Sequence, residues 1–174
     1  MYRPRAPRAS DLPMAAAGLA GASLARGALR RIILLKLRRD VRALNAGDYG
    51  PLLAGYADDA VLRFNDAEHR WAGEHRGKPA IERFLRDFVG AGLQGEVVDL
   101  LLVGPLWRIR LAVRFDDHAH APGGGELIYR NRTALVAQTR WGRIVWQEDF
   151  YEDTERIVAL DARLSELGIS PASG

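Results

Sequence analysis

Residues 126–153 constrain this chain most. Glu126–Gln138 and Gly142–Asp153 are two strand-forming runs, joined by Thr139-Arg140-Trp141-Gly142. They predict a β-hairpin close to the end of a domain. Side chains alternate along a strand, so the second run sorts into two faces. Ile144, Trp146, Glu148 and Phe150 fall on one, and Val145, Gln147, Asp149 and Tyr151 on the other. The second set places a carboxylate between polar and aromatic neighbours, as the wall of a pocket would. With Arg140-Trp141 as a two-residue loop, Gln138 faces Arg143, Val136 faces Val145, Ala134 faces Gln147, Arg132 faces Asp149 and Arg130 faces Tyr151. That register predicts an Arg132–Asp149 salt bridge, since opposed Cβ atoms lie ~5 Å apart. A one-residue slip would turn Arg132 to the other face.

Upstream, Leu34, Leu37, Val41 and Leu44 recur at helical spacing, and Asn45-Ala46-Gly47 ends that helix. Asp48 is placed to cap a short second helix through Tyr56. Ala60–Phe64 is a short strand, and 65–77 is polar and irregular apart from Trp71. A third helix, Lys78–Val89, presents Ile81, Leu85 and Phe88 on one face. Strands follow at Gln94–Val103 and Leu106–Phe115. In the latter, Trp107, Ile109, Leu111, Val113 and Phe115 alternate with Arg108, Arg110 and Arg114. Asp116–Gly125 has the composition of a Gly/Pro loop, and Thr154–Leu167 that of a last helix capped by Thr154. Helices followed by a run of strands predict an α+β domain over 23–168, with an arm at 1–22 and a tail at 169–174.

With 174 residues the chain can bury a real core. Its net charge of +3 is too small to imply a polyanion partner. The Arg108, Arg110 and Arg114 stripe carries no aromatic side chain on its own face, which argues against nucleic acid. The absence of cysteine excludes disulfides and thiolate metal sites. No apolar run reaches the ~20 residues a membrane span needs. Met14–Ala25, with Arg3, Arg5 and Arg8 ahead of it, raises a signal peptide. It is Ala/Gly-rich rather than Leu-rich, which favours a disordered leader or a start at Met14.

Several stretches resemble the ketosteroid isomerase and SnoaL-like group. They are Arg42-Ala-Leu-Asn-Ala-Gly-Asp48, Tyr56-Ala-Asp-Asp-Ala60, Gly73-Glu-His-Arg-Gly-Lys-Pro-Ala-Ile81, Gly142-Arg-Ile-Val145 and Phe150-Tyr-Glu-Asp-Thr154. The likeness covers about Arg30–Thr154. It implies the cone-shaped fold of nuclear transport factor two: a curved antiparallel sheet wrapped around three N-terminal helices, here with a C-terminal helix added. Such folds enclose one deep pocket and often form homodimers. This sequence has Phe64 where the isomerase keeps its Asp base, Asp40 at its oxyanion Tyr and Ala134 at its protonated Asp, so steroid isomerisation is not implied. Trp146-Gln-Glu-Asp149 is similar to the last strand of limonene epoxide hydrolase. Arg130 and Arg132 match that enzyme's arginine, but its second Asp is missing.

Fold hosts many functions, so function rests on the site. Asp149 is the leading candidate, as general base, general acid or ligand anchor. Arg132 is expected to hold it ionised. Asp40 is placed at the pocket rim, where pairing with Arg38, Arg39 or Arg42 is the plainer reading. The resemblance puts Phe64, Trp71, Val113, Val136, Gln147 and Tyr151 in one cavity with Asp149, and Arg130 beside it. His69 and His75 with Glu68 and Glu74, and the run Asp116–His120, match no strong metal motif. The expected function is acid/base chemistry of isomerase, cyclase or hydrolase type on a small apolar or polyketide-like molecule. The alternative is a non-catalytic binding or dimerisation module of the same fold. The chain is expected to use no metal and no cofactor, to form a homodimer, to bind neither nucleic acid nor membrane, and to be cytoplasmic.

Overall fold

The computed structural model describes residues 12–122 and 124–171, with side chains from residue 24 onward. The chain is α+β. The elements run α1 (Leu12–Asn45), α2 (Gly50–Leu53), β1 (Tyr56–Phe64), β2 (Gly73–Arg76), α3 (Lys78–Gly90), β3 (Leu93–Val103), β4 (Arg110–His120), β5 (Leu127–Arg140), β6 (Arg143–Tyr151) and α4 (Thr154–Glu166). Helix α1 begins inside the segment expected to be an arm. The rest of that arm, 1–11, and residues 172–174 of the tail lie outside the described residues.

The six strands form one open sheet in the order β2-β1-β6-β5-β4-β3. It is mixed rather than purely antiparallel, because β1 pairs with β6 in parallel. The third helix interrupts the strands instead of preceding them, and the 65–77 stretch contributes β2. Gly47, at φ 94°, lets the Asp48 and Gly47 amides cap the last carbonyls of α1 at Ala43 and Leu44. Asp48 accepts from the Gly50 amide but does not start a longer helix; α2 stays at four residues. At α4 the cap is Asp153, one residue earlier than expected, accepting from the Glu155 and Arg156 amides.

Two apolar clusters hold the layers together. Val41 of α1, with Ile33, Leu34 and Leu37 beside it, packs on Val97, Leu100, Val113 and Phe115 of the sheet. Ile81, Phe84 and Leu85 of α3 and Ile157, Leu160 and Leu164 of α4 close over Leu62, Phe64, Trp71 and Tyr129. Asn45 fixes α1 to β3 by a two-way bond with Gly95: its Nδ2 donates to the Gly95 carbonyl (2.9 Å) and its Oδ1 accepts the Gly95 amide (3.1 Å). Fully burying a side chain such as Leu100 or Ile157 stabilises by about 1.5–3 kcal/mol, so these contacts outweigh any one polar bond.

The hairpin forms, but in another register. Its loop is Trp141-Gly142, with Arg140 opposite Arg143. Both loop residues have positive φ, 51° and 80°, the backbone of the turn that best matches strand twist. Glycine at the second loop position removes the steric cost there. Val145 is then extra: Thr139 faces Ile144 and Gln138 faces Trp146. This bulge turns Ile144 inward, away from the face it was expected to share with Trp146 and Phe150. Asp149 consequently faces Leu135, not Arg132.

Candidate functional site

Between α1, α3 and the concave side of β3–β6 lies a cavity of about 280 Å³. Its wall is mostly apolar, formed by residues such as Leu37, Phe84, Leu100, Val113, Leu135 and Ala137. The polar groups that reach it are few: Asp40, Tyr56, Asp117, Thr133, Thr139, Gln147, Asp149 and Tyr151, with Lys36 at the surface.

Asp149 is buried on β6. Gln147, two residues earlier on the same face, donates Nε2–H to Asp149 Oδ1 at 2.8 Å. The Gln147 Oε1 accepts from the Tyr56 hydroxyl at 2.6 Å. The amide is thus held at both ends and aims its N–H at the carboxylate. Burial pushes the Asp149 pKa up to about 7; the Gln147 bond pulls it down, and the carboxylates of Asp117 and Glu148 add to the rise. The expected guanidinium is absent from its surroundings. Arg132 is on the outer face, where it forms a two-pronged pair with Glu152. The expectation of an ionised Asp149 held by Arg132 is therefore wrong, because the hairpin closes one residue later than assumed and the Val145 bulge then moves the rest of β6 by one more position, which puts Arg132 on the opposite face. Asp149 instead divides between acid and carboxylate near neutral pH, so it can give or take a proton.

Asp117 was not found from sequence. It lies on β4, opposite Asn131, in the stretch read as a loop. It is buried, and the Thr133 hydroxyl donates to it. Burial raises its pKa to about 6, partly offset by the Thr133 bond. The signal was present: Leu111, Val113, Phe115, Asp117 and Ala119 continue one alternation. Tyr56, expected to end the short second helix, instead opens β1. Its hydroxyl is held far from ionisation, chiefly by burial and then by Asp149. Tyr151 is raised well above its ordinary value by burial, so it is a hydroxyl donor and not a base.

The other expected residues divide three ways. Val113, Gln147 and Tyr151 line the cavity. Phe64 and Trp71 are fully buried in the core behind it, with the Phe64 ring 4.9 Å from that of Tyr151. Val136 and Arg130 are on the outer side; Val136 lies between Ala112 and Glu148, and Arg130 is exposed. Asp40 does line the cavity, yet its carboxylate is taken by Lys36 one turn before it and by Arg39 at 2.9 Å. Pairing to surface cations thus accounts for it, with Lys36 in place of Arg38 and Arg42.

His69 bonds Asn65 (3.2 Å), and burial lowers its pKa. His75 bonds the Trp71 carbonyl (3.0 Å), and His118 bonds Gln94 (3.1 Å). Among the described residues no group of three His, Cys, Asp or Glu could hold a metal ion.

No protein-family model and no curated protein matches the chain. Solved structures do. Bal32a, from a soil-derived mobile gene cassette, superposes with a TM-score of 0.58 at 20% identity, covering 76% of this chain and 96% of that one. TerC, co-crystallised with polyporic acid, gives 0.58 at 15% identity, with coverages of 74% and 97%. An NTF2-like protein of unknown function from Burkholderia pseudomallei gives 0.58 at 20%, with 74% and 95%. At these identities the likeness is one of fold. The chain has the fold of nuclear transport factor two-like proteins, to which the SnoaL-like group belongs.

Proposed function

We propose that the chain binds a small apolar or polyketide-like molecule in this cavity and catalyses a proton transfer on it, of isomerase, cyclase or hydrolase type, with the helices and curved sheet forming a cone about the ligand. The observation that carries this reading is Asp149: one buried carboxyl in an apolar chamber, oriented by Gln147 and able to change protonation near pH 7. A group with no task there would be expensive to bury. The cavity approaches the ~300–1,000 Å³ typical of small-molecule sites. TerC, of like fold, was crystallised with polyporic acid, which supports an aromatic or polyketide-like ligand class. Asp149 is the proton-transfer group, Gln147 and Tyr56 position it, and Asp117 is a second ionisable group of the same wall. Neither Arg132 nor Arg130 has a part.

Screening aromatic and polyketide-like compounds by thermal shift, then assaying turnover of those that bind, tests this. Asp149→Asn is expected to keep binding and to lose turnover. A ligand bound equally by both forms and turned over by neither would favour the non-catalytic module instead.

The homodimer belongs to the same proposal. Leu101, Val136, Trp146 and Phe150 share the outer sheet face, and Leu101 and Phe150 are 63% and 49% exposed. Such a patch is better covered than left in water. Light scattering is expected to give a dimer mass, reduced to the monomer by Phe150→Glu.

A further inference from the structure

At one end of the sheet two tight turns lie side by side. The Arg108 amide bonds the Pro105 carbonyl (2.9 Å), which leaves Leu106 and Trp107 on the outside of the β3–β4 turn. The Trp141 amide bonds the Trp107 carbonyl (3.0 Å), which brings the β5–β6 turn against it. Leu106, Trp107 and Trp141 are 65%, 56% and 79% exposed. Large apolar side chains at turn tips, where polar residues would serve, are there to meet something. Each turn also touches the cavity. Ile109 and Gly142 follow the two tryptophans closely and form part of its wall, and Gly142 is itself exposed. The cavity therefore reaches the surface beside the tryptophans.

The two turn segments themselves carry charge of one sign. Neither 104–115 nor 139–147 contains an acid, while Arg108, Arg110, Arg140 and Arg143 lie within them. Arg140 is held by Asp59 and Arg143 by the Ala54 carbonyl. Arg108 and Arg110 are exposed and have no ion pair among the described residues. Helix α1 adds to the same end. It runs antiparallel to β3, since Asn45 bonds Gly95 and Arg30 bonds the Leu100 carbonyl. From Arg30 it continues about 27 Å to Leu12, whereas β3 ends at Val103, about 10 Å beyond Leu100. The helix so extends past the turns. Its sequence over 12–25 carries no charge, and Leu24 is 76% exposed.

We propose that this end of the molecule docks on an anionic phospholipid surface, with Trp107 and Trp141 at the headgroup level and Arg108 and Arg110 on the phosphates, so that an apolar ligand passes between bilayer and cavity. Tryptophan favours that interface, and each arginine near it adds attraction. No described helix is long and apolar enough to cross a membrane, so the contact is peripheral. This departs from the expectation of no membrane partner, which rested on the lack of a span. The docking goes beyond the proposed chemistry and stands without it; the passage of a ligand rests on the proposed function of the cavity.

The test is flotation of the full chain with vesicles of phosphatidylcholine alone and of phosphatidylcholine mixed with phosphatidylglycerol. Binding is expected with the mixed vesicles only, with a blue shift of tryptophan emission. The double variant Trp107→Ser/Trp141→Asn and the double variant Arg108→Glu/Arg110→Glu are each expected to bind about tenfold less or weaker still, with unchanged circular dichroism. All four positions are exposed and lie outside the cavity wall. No flotation, flotation that both variants retain, or loss of a dimer in the tryptophan variant without vesicle binding by the parent would each overturn the proposal. The last outcome would assign the tips to a second copy of the chain.

Discussion

The side-chain amide of Gln147 stands between Tyr56 and Asp149, taking a hydrogen bond from the one at 2.6 Å and giving one to the other at 2.8 Å. An apolar replacement breaks both links. In Gln147→Leu, Asp149 loses the bond that lowers its pKa, so that pKa is expected to rise above 7. The buried Tyr56 hydroxyl loses its acceptor, at a cost of roughly 1–3 kcal/mol. A carboxyl ¹³C titration and a denaturant melt measure the two effects. An unchanged Asp149 midpoint would show that the amide does not act on it.

Asp149 also couples stability to pH. Its folded pKa of about 7 lies above the ~3.9 of an unfolded Asp. Below pH 4 both states hold the proton and no penalty exists. Between those values the unfolded chain releases the proton and the folded one keeps it, so stability falls as pH rises. The loss is complete above the folded pKa and comes to about 4 kcal/mol. Asp149→Asn carries no such dependence. Plotted against pH, the stability of the variant minus that of the parent is expected to climb from pH 4 to 7 and then level off. A flat difference would show Asp149 ionised throughout.

Thr133 donates to Asp117, and that bond holds the carboxyl below where burial alone would take it. Thr133→Val keeps the volume and removes the donor. The Asp117 midpoint is expected to move up from about 6, and that of Asp149 to move down slightly, since a protonated Asp117 repels it less. Opposite movements in one titration series would be hard to produce by unfolding.

Arg132 and Glu152 meet on the outer face with both side chains about half exposed. Water and salt screen such a pair. Arg132→Leu is expected to leave both the melting temperature and the Asp149 midpoint where they were. A large shift in either would return Arg132 to the cavity.

Most of the strands, the longer helices and the leading carboxylate were readable from alternation and spacing, while β2 and the last residues of β4 were not. Asp149 is where its place beside Gln147 and Tyr151 put it. The partners of Asp149 were not readable, because they depend on a loop one residue long in its error. Placing the turn at Arg140-Trp141 instead of Trp141-Gly142 moved every pairing, and the Val145 bulge shifted Trp146–Tyr151 once more, to the other face. Asp117 was lost for another reason. The polar run Asp116–His120 precedes glycines, and composition outweighed an alternation that continues unbroken from Leu111 to Ala119. The β1–β6 pairing had no local signal at all, since parallel neighbours distant in the chain leave no mark in either segment.

That parallel seam has a consequence for how the chain is made. Val61 finds Trp146, and Leu62 finds Gln147, only after nearly half of the protein has been synthesised between them. Until β6 emerges, β1 has only the short β2 along its length. The strand that carries Tyr56, Leu62 and Phe64 must wait on the ribosome or a chaperone with one edge open. Contacts so far apart in sequence make closure slow, and an open edge beside apolar side chains is the place where two nascent copies would join wrongly.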